Sequence, residues 1–367
     1  MNEKKLKNVK LILATVEDAM EIHRIKYEAF IPLYEKYGDD ETSPVKEPLE
    51  KTIALLKQDF SDYYLIQFKG QNVGAVRLVK QQDKIIRISP LFILPEYQNK
   101  GIGRECISNL FEKYGEVFCW KLETILQEKG NCHLYEKMGF QRTGGEKVIN
   151  SKMTLINYEK KNVTPYSDER NEYLVVDDVI DYKNEAIVQL ADTLFQKANS
   201  ELEFIKAAYE FVRDNISHSA DINEDKITCS ASEVLKEGHG ICFAKSHLLA
   251  ALLRCKSIPA GFCYQKVNIA DETVPVLVYH GLNGVYMKEY KKWIRLDARG
   301  NKNGVNAQFS IEDEHLAFPI RPEMGEEDGF VVYPEPDIKI LEKLRENRTR
   351  TELWDNLPTE LARGYEL

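Results

Sequence analysis

The sequence predicts an α+β protein of two domains, and three observations carry that prediction. Its 367 residues exceed what one hydrophobic core usually organises. Short apolar strands and amphipathic helical stretches alternate up to residue 160, and helices resume after a polar gap with no apolar periodicity. Two separate junctions, 98–104 and 238–242, place glycines where a chain segment passes into a helix. The expected division is therefore a first domain over 1–160, a linker over 161–171, a second domain over 172–330, and a helical tail over 331–367.

The first domain opens with a strand, Val9 to Leu13, followed by a helix capped near Thr15 with an acidic first turn at Glu17 and Asp18. A polar loop, Tyr37 to Pro44, leads to a second helix, Leu49 to Leu56. Strands follow at Tyr63–Phe68, Asn72–Lys80 and Ile85–Leu94, the first two joined by a hairpin turn at Lys69-Gly70-Gln71. A helix from Gly103 to Tyr114, a strand from Phe118 to Ile125 and a last helix ending at Gly139-Phe140 complete the pattern.

Chemistry enters at the strand-to-helix junction. Gln98-x-x-Gly101-x-Gly103 lets the backbone approach an anion, and the first helical N–H groups are suited to phosphate. A dinucleotide fingerprint would need a third glycine at position 106, which is Cys106. Together, Gln98-Asn-Lys-Gly-Ile-Gly-Arg104 and Asn131…Tyr135…Gly139-Phe140 resemble the GNAT acyltransferase superfamily, with a mixed central sheet flanked by helices. The resemblance implies acetyl-CoA as co-substrate and an amine, small molecule or peptide, as acceptor. It places the pyrophosphate on Gln98, Asn99, Lys100, Gly101, Ile102, Gly103 and Arg104, and sets the backbone of Phe92, Ile93 and Leu94 against the pantetheine. Asn131 would contact the cofactor, and Tyr135 would protonate the leaving thiolate; covering the helix end is the plain alternative for this tyrosine. Many relatives carry a glutamate base just before the phosphate loop. Here Ser89, Pro90 and Leu91 stand in that region, so the base is unassigned and a water relay is expected.

In the second domain, helices over Ala186–Lys197 and Glu201–Asn215 precede Glu237-Gly-His-Gly-Ile-Cys242, which opens a strongly apolar helix. Free N–H groups and the helix dipole at such a start favour a thiolate. His280 ends one apolar run and Asp297 another, so a nucleophile, a base and an orienting carboxylate sit at the edges of three elements. Gly240-Ile-Cys242, Leu252-Leu-Arg254 with Ile258-Pro-Ala-Gly261, Tyr279-His280-Gly281 and Trp293-Ile-Arg-Leu-Asp297 resemble the transglutaminase-like superfamily of papain-type cysteine enzymes. That resemblance implies Cys242 as nucleophile, His280 as general base and Asp297 as the residue orienting the imidazole. Whether water or an amine takes the acyl group stays open, as does the peptide or amide substrate.

A formal net charge of −9 without a basic run argues against nucleic acid. Nothing approaches a membrane-spanning length and no apolar stretch follows Met1-Asn-Glu-Lys-Lys, so a soluble cytoplasmic protein is expected. Seven cysteines without a Cys-x-x-Cys pair fit reduced thiols and no metal site. Turnover at both sites competes with a second class of function, in which one domain only presents peptides or amines to the other. His218 reads as an oxyanion donor or, more commonly, as a surface or capping histidine; His239 is expected to turn away from Cys242. Cys229 and Cys263 read as structural, and Glu123 and Glu128 as solvated charges or as groups facing an amine. Specificity is expected from the loops around 30–50 and 264–276.

Overall fold

The computed structural model describes residues 9–362 apart from 83, 116, 270–275 and 312–313, so part of the expected 264–276 loop lies outside the described residues. The chain divides into two compact units, Met1–Asn162 and Val163–Leu367.

The first unit is built on one sheet of seven strands: β1 (Val9–Leu13), β2 (Ser61–Phe68), β3 (Gln71–Lys80), β4 (Ile85–Ile93), β5 (Cys119–Ile125), β6 (Gln141–Asn150) and β7 (Met153–Lys161). Their order is β1-β2-β3-β4-β5-β7-β6, and only β4 and β5 run parallel. Lys69 and Gly70, both at positive φ, make the tight turn between β2 and β3. Alternation along β2 then decides what each face covers. Tyr63 and Leu65 pack with Ile22 and Ile25 of helix α1 (Ala19–Tyr37), with α2 (Leu49–Leu56) alongside, while Tyr64 and Ile66 pack with Ile107 and Leu110 of α3 (Ile102–Lys113). A fourth helix, α4 (Lys129–Lys137), ends at Gly139, whose φ of +82° suits glycine. The hairpin of β6 and β7 has no counterpart in the sequence reading. Most of β6 is exposed and its register shifts twice, so it carries no alternating signature.

The decisive feature is a gap in this sheet. β4 pairs with β5 only from Ile85 to Ile88, opposite Cys119 to Leu122. Beyond that point β4 bulges against β3 around Ser89-Pro90, and Pro90 has no N–H to continue a ladder. The two strands part, leaving Ser89–Ile93 and Glu123–Ile125 unpaired with each other.

The second unit packs helices α5 (Glu185–Lys197), α6 (Glu201–Asn215) and α7 (Ala231–Glu237) around α8 (Cys242–Cys255). Every α8 residue from Phe243 to Arg254 is buried, as befits a helix without a polar face. Its other neighbour is an antiparallel sheet of β8 (Ala260–Asn268), β9 (Leu277–Met287) and β10 (Lys292–Leu296), extended by Glu327–Asp328 at the β8 edge. Asn283 on β9 donates to the carbonyls of Ser246 (2.9 Å) and Gly261 (3.1 Å), tying helix to sheet.

Two stretches depart from expectation. Within the expected linker, Thr164–Pro165 forms a short parallel ladder with Val331–Val332, and Val332 is fully buried beside Tyr173 and Trp293. A two-residue ladder is too short to leave a periodic signature. The second stretch is the tail, which packs on the body of this unit as a helical tail would: Ile340, Leu341 and Leu344 of α9 (Ile338–Glu346) and Leu353 of α10 (Arg350–Asp355) join the main hydrophobic cluster. Its charged amphipathic pattern predicts one helix over 338–350; α9 instead ends at Glu346, and Thr349 caps a new helix, its hydroxyl accepting from Glu352 N–H at 3.2 Å.

Candidate active sites

In the first unit, the parted strands open into a cleft of about 410 Å³. Asn131 and Tyr135, four residues apart on one face of α4, both line it, as do Ser89, Pro90 and Leu91 of β4 and Glu123 of β5. Tyr135 packs its ring against Phe140 and Tyr158 at centroid distances of 5.9 and 6.1 Å. Burial pushes its hydroxyl well above the ordinary tyrosine range, which keeps it protonated.

The expected phosphate loop lies where β4 passes into α3. Gly101 at φ +80° is the N-cap of α3, Asn99 also has positive φ, and the first N–H groups of the helix have no intrahelical acceptor. Gly103 packs closely, since a Cβ there would meet Leu134 Cδ2 at 3.3 Å. Gln98 braces the loop by donating from Nε2 to Ile93 O at 2.9 Å. Lys100 Nζ stands over the Tyr97 ring, 5.1 Å from its centroid. The strand register corrects one expectation. Leu94 N–H donates to Val73 O at 2.8 Å, and by alternation Phe92 also turns its backbone towards β3. The backbone facing the gap is that of Leu91 and Ile93.

Charges around the cleft are mostly committed. Glu47 accepts from Lys26 at 2.8 Å and Lys51 at 2.6 Å; burial pushes its pKa up, but the two lysines outweigh this and hold it low. Glu128 is held by Lys36 (2.7 Å) and the Tyr37 hydroxyl (2.6 Å), which removes it as a group facing an amine. Glu123 pairs loosely with Arg87, at 3.9 Å.

In the second unit, Cys242 is the first residue of α8, partly exposed. His280 lies on β9 opposite Gln265, and Asp297 directly follows β10. Their side chains meet: His280 Nε2 is 2.8 Å from Asp297 Oδ2. Asp297 is buried and also accepts N–H bonds from Ala317 (2.9 Å, Oδ2) and Arg299 (3.1 Å, Oδ1). Burial opposes its charge, but His280 and these hydrogen bonds hold its pKa low. For His280 burial disfavours the cation, yet the Asp297 carboxylate and the adjacent Cys242 thiol raise its pKa to about 10. With Nε2 engaged by Asp297, Nδ1 is the ring nitrogen left for Cys242.

The same region holds further groups, of which His218 departs from the favoured expectation and Lys245 was not singled out. His218 is neither on the surface nor a cap: it is buried, pairs Gly240 in a two-residue parallel ladder, and burial with the nearby Arg299 lowers its pKa to about 3. His239 is turned to Ser219, its Nδ1 3.0 Å from the hydroxyl oxygen. Lys245, three residues past Cys242, is fully buried with its ammonium on the Ile216 carbonyl; burial and Arg299 lower its pKa to about 7. A lysine in the first turns of a helix that is buried from Phe243 to Arg254 was the available signal. Arg299 is clamped by Asp221 at 2.7 and 2.9 Å. Cys263 is buried, and half-buried Cys229 contributes its carbonyl to His247.

Comparison with known proteins agrees with this division. Residues 20–140 match the Acetyltransferase (GNAT) family, and residues 188–298 match the Transglutaminase-like superfamily. An uncharacterized N-acetyltransferase of Chlorobaculum tepidum is 24% identical over 102 residues, covering 25% of this chain and 58% of that protein. The chain thus spans little more than half the length of this curated relative. Similar solved structures include an acetyltransferase from Thermus thermophilus, 17% identical over 42% of this chain and 97% of that one, with a TM-score of 0.34. A spermidine N-acetyltransferase from Vibrio cholerae, solved with CoA and spermine, is 18% identical over 42% and 96% of the chains, with a TM-score of 0.36. The two family matches thus fall one in each compact unit, the acetyltransferase match in the first and the transglutaminase-like match in the second. Among the described residues, no helix is long and apolar enough to cross a membrane, and no cluster of His, Cys, Asp or Glu is placed to hold a metal.

Proposed function

We propose that the N-terminal unit is an N-acetyltransferase drawing on acetyl-CoA, and that the C-terminal unit attacks amide-type carbonyls through Cys242. The observation carrying the first reading is the parting of β4 from β5, which opens a cleft lined by both Asn131 and Tyr135. The residues present suit acetyl-CoA: the N–H groups at the start of α3, with Asn99, Lys100 and Arg104 around them, would hold the pyrophosphate. Leu91 and Ile93 would offer their backbone to the pantetheine, with Asn131 beside it. Bound there, acetyl-CoA supplies an activated acetyl thioester. Tyr135 then places a proton on the departing sulfur, and Glu123 takes the acceptor amine's proton through water in the cleft. Release of thiol from acetyl-CoA in the presence of an amine panel tests this; absence of acetyl-CoA binding by calorimetry would refute it.

The 2.8 Å contact between His280 and Asp297, with His280 beside Cys242, carries the second reading. Cys242 Sγ bonds to the carbonyl carbon, the amine leaves with a proton from His280, and water or a second amine takes the acyl group from sulfur. Trapping decides it. An acyl adduct on Cys242 from an activated ester, absent in His280→Ala, is expected; equal labelling of the two proteins would overturn the assignment.

A further inference from the structure

We propose that the acceptor amine of the N-terminal unit also carries a carboxylate, which Arg77 binds: the acceptor is of the amino-acid class and not a polyamine. This rests on the acetyltransferase reading above. Arg77 projects from β3, is 8% exposed and lines the cleft together with Ser89 and Tyr135. Among the described residues its guanidinium donates to neutral oxygens: Nε to Ser61 Oγ at 3.3 Å, Nη1 to Ser89 O at 3.3 Å, and Nη2 to Gln58 Oε1 at 2.5 Å. A guanidinium has five N–H groups, so two remain for a ligand.

Among the described residues, no carboxylate lies within ion-pair distance of it. Glu47, on the same cleft, is committed to Lys26 and Lys51, and Asp39 to the Thr42 hydroxyl (2.6 Å) and backbone amides. Buried arginines are ordinarily paired, because an uncompensated buried charge is costly. Burial accordingly pulls the Arg77 pKa down. A carboxylate offers the missing partner, in the planar two-bond geometry that suits a guanidinium. Arg87 brings a second cation to the same cleft, whereas a polyamine would bring further positive charge to both arginines. Phe30, Tyr34 and Tyr63 leave an aromatic wall for the rest of the acceptor.

The test is thiol release from acetyl-CoA by the full chain with the common amino acids, their carboxamides, spermidine and phosphoethanolamine. Carboxylate acceptors should exceed their carboxamides by about 10- to 100-fold in kcat/KM, the usual range for a charge-assisted pair. Arg77→Gln should erase that difference by raising KM for the acids alone, and Arg77→Lys should restore part of it. Unchanged acetyl-CoA affinity in both variants by calorimetry reports that they fold. Preference for carboxamides, spermidine or phosphoethanolamine overturns the proposal and leaves the acetyltransferase reading standing. So does acetyl-CoA binding without acetylation of any amino acid, or an equal loss on acids and carboxamides in Arg77→Gln. Failure of the parent protein to bind acetyl-CoA refutes both together.

Discussion

Gly281 and Phe243 set how closely the strand bearing His280 approaches the helix bearing Cys242. A Cβ at position 281 would stand 2.5 Å from Phe243 Cδ1, nearer than two carbons can come. The glycine after His280 is thus a spacing device between β9 and the first turn of α8. Gly281→Ala should force the two apart, costing about 1–3 kcal/mol by overpacking. Urea unfolding measures that cost, and Cys242 alkylation in the same variant should slow as the imidazole withdraws. Parent-like stability and reactivity would show that the contact relaxes freely.

The seven cysteines provide an internal comparison. Burial raises Cys119 and Cys229 to about 11 and pushes Cys106, Cys255 and Cys263 upward. Cys242 sits partly exposed at a helix start beside His280. Limiting iodoacetamide at pH 6 should therefore label Cys242 first, and His280→Ala should remove most of that preference. Asp297→Asn should remove less, because its effect passes through the imidazole. Peptide mapping reads the result, and uniform labelling would count against the nucleophile assignment.

Stability should depend on pH through His280. Its pKa is raised from the ordinary 6.5 to about 10, so the folded state holds this proton more tightly than the unfolded chain. The resulting stabilisation is fully present below about pH 6.5 and is lost as pH rises through about 10. The stability difference between parent and His280→Ala should thus shrink from pH 6 to pH 10. Denaturant midpoints at both ends check the sign, and a widening difference would mean that His280 is neutral in the fold.

Tyr135→Phe should leave acetyl-CoA binding intact while lowering turnover by about 10²–10⁴, the usual effect of losing a general acid. Calorimetry and thiol release separate the two. Equal turnover would leave Tyr135 as a packing residue against Phe140 and Tyr158.

Gly103 separates shape from charge in the phosphate loop. Gly103→Ala asks only that Leu134 Cδ2 yield slightly from 3.3 Å, so acetyl-CoA affinity should fall little. Gly103→Glu adds a negative charge beside the pyrophosphate and should weaken binding by about 3 kcal/mol or more. Similar affinities for the two variants would move the pyrophosphate elsewhere.

The sequence by itself determined what is local. Glycines at 101 and 103 about the start of an amphipathic helix, and Cys242 at the head of a largely apolar one, depend only on neighbouring residues and the periods of helix and strand. Pairing across the chain is another matter. Whether Phe92 and Leu94 or Leu91 and Ile93 face the gap is settled by one step of register against β3, which composition cannot encode. The same holds for His218, which reads as an oxyanion donor or as a surface or capping group and is buried at a two-residue ladder, and for Val331–Val332, drawn into the core by Thr164–Pro165. Only the tertiary structure leaves Arg77 buried beside the cleft with no carboxylate in ion-pair contact among the described residues, Glu47 being paired with Lys26 and Lys51. Burial and charge pairing are properties of neighbours in space, and those neighbours are chosen when the strands meet.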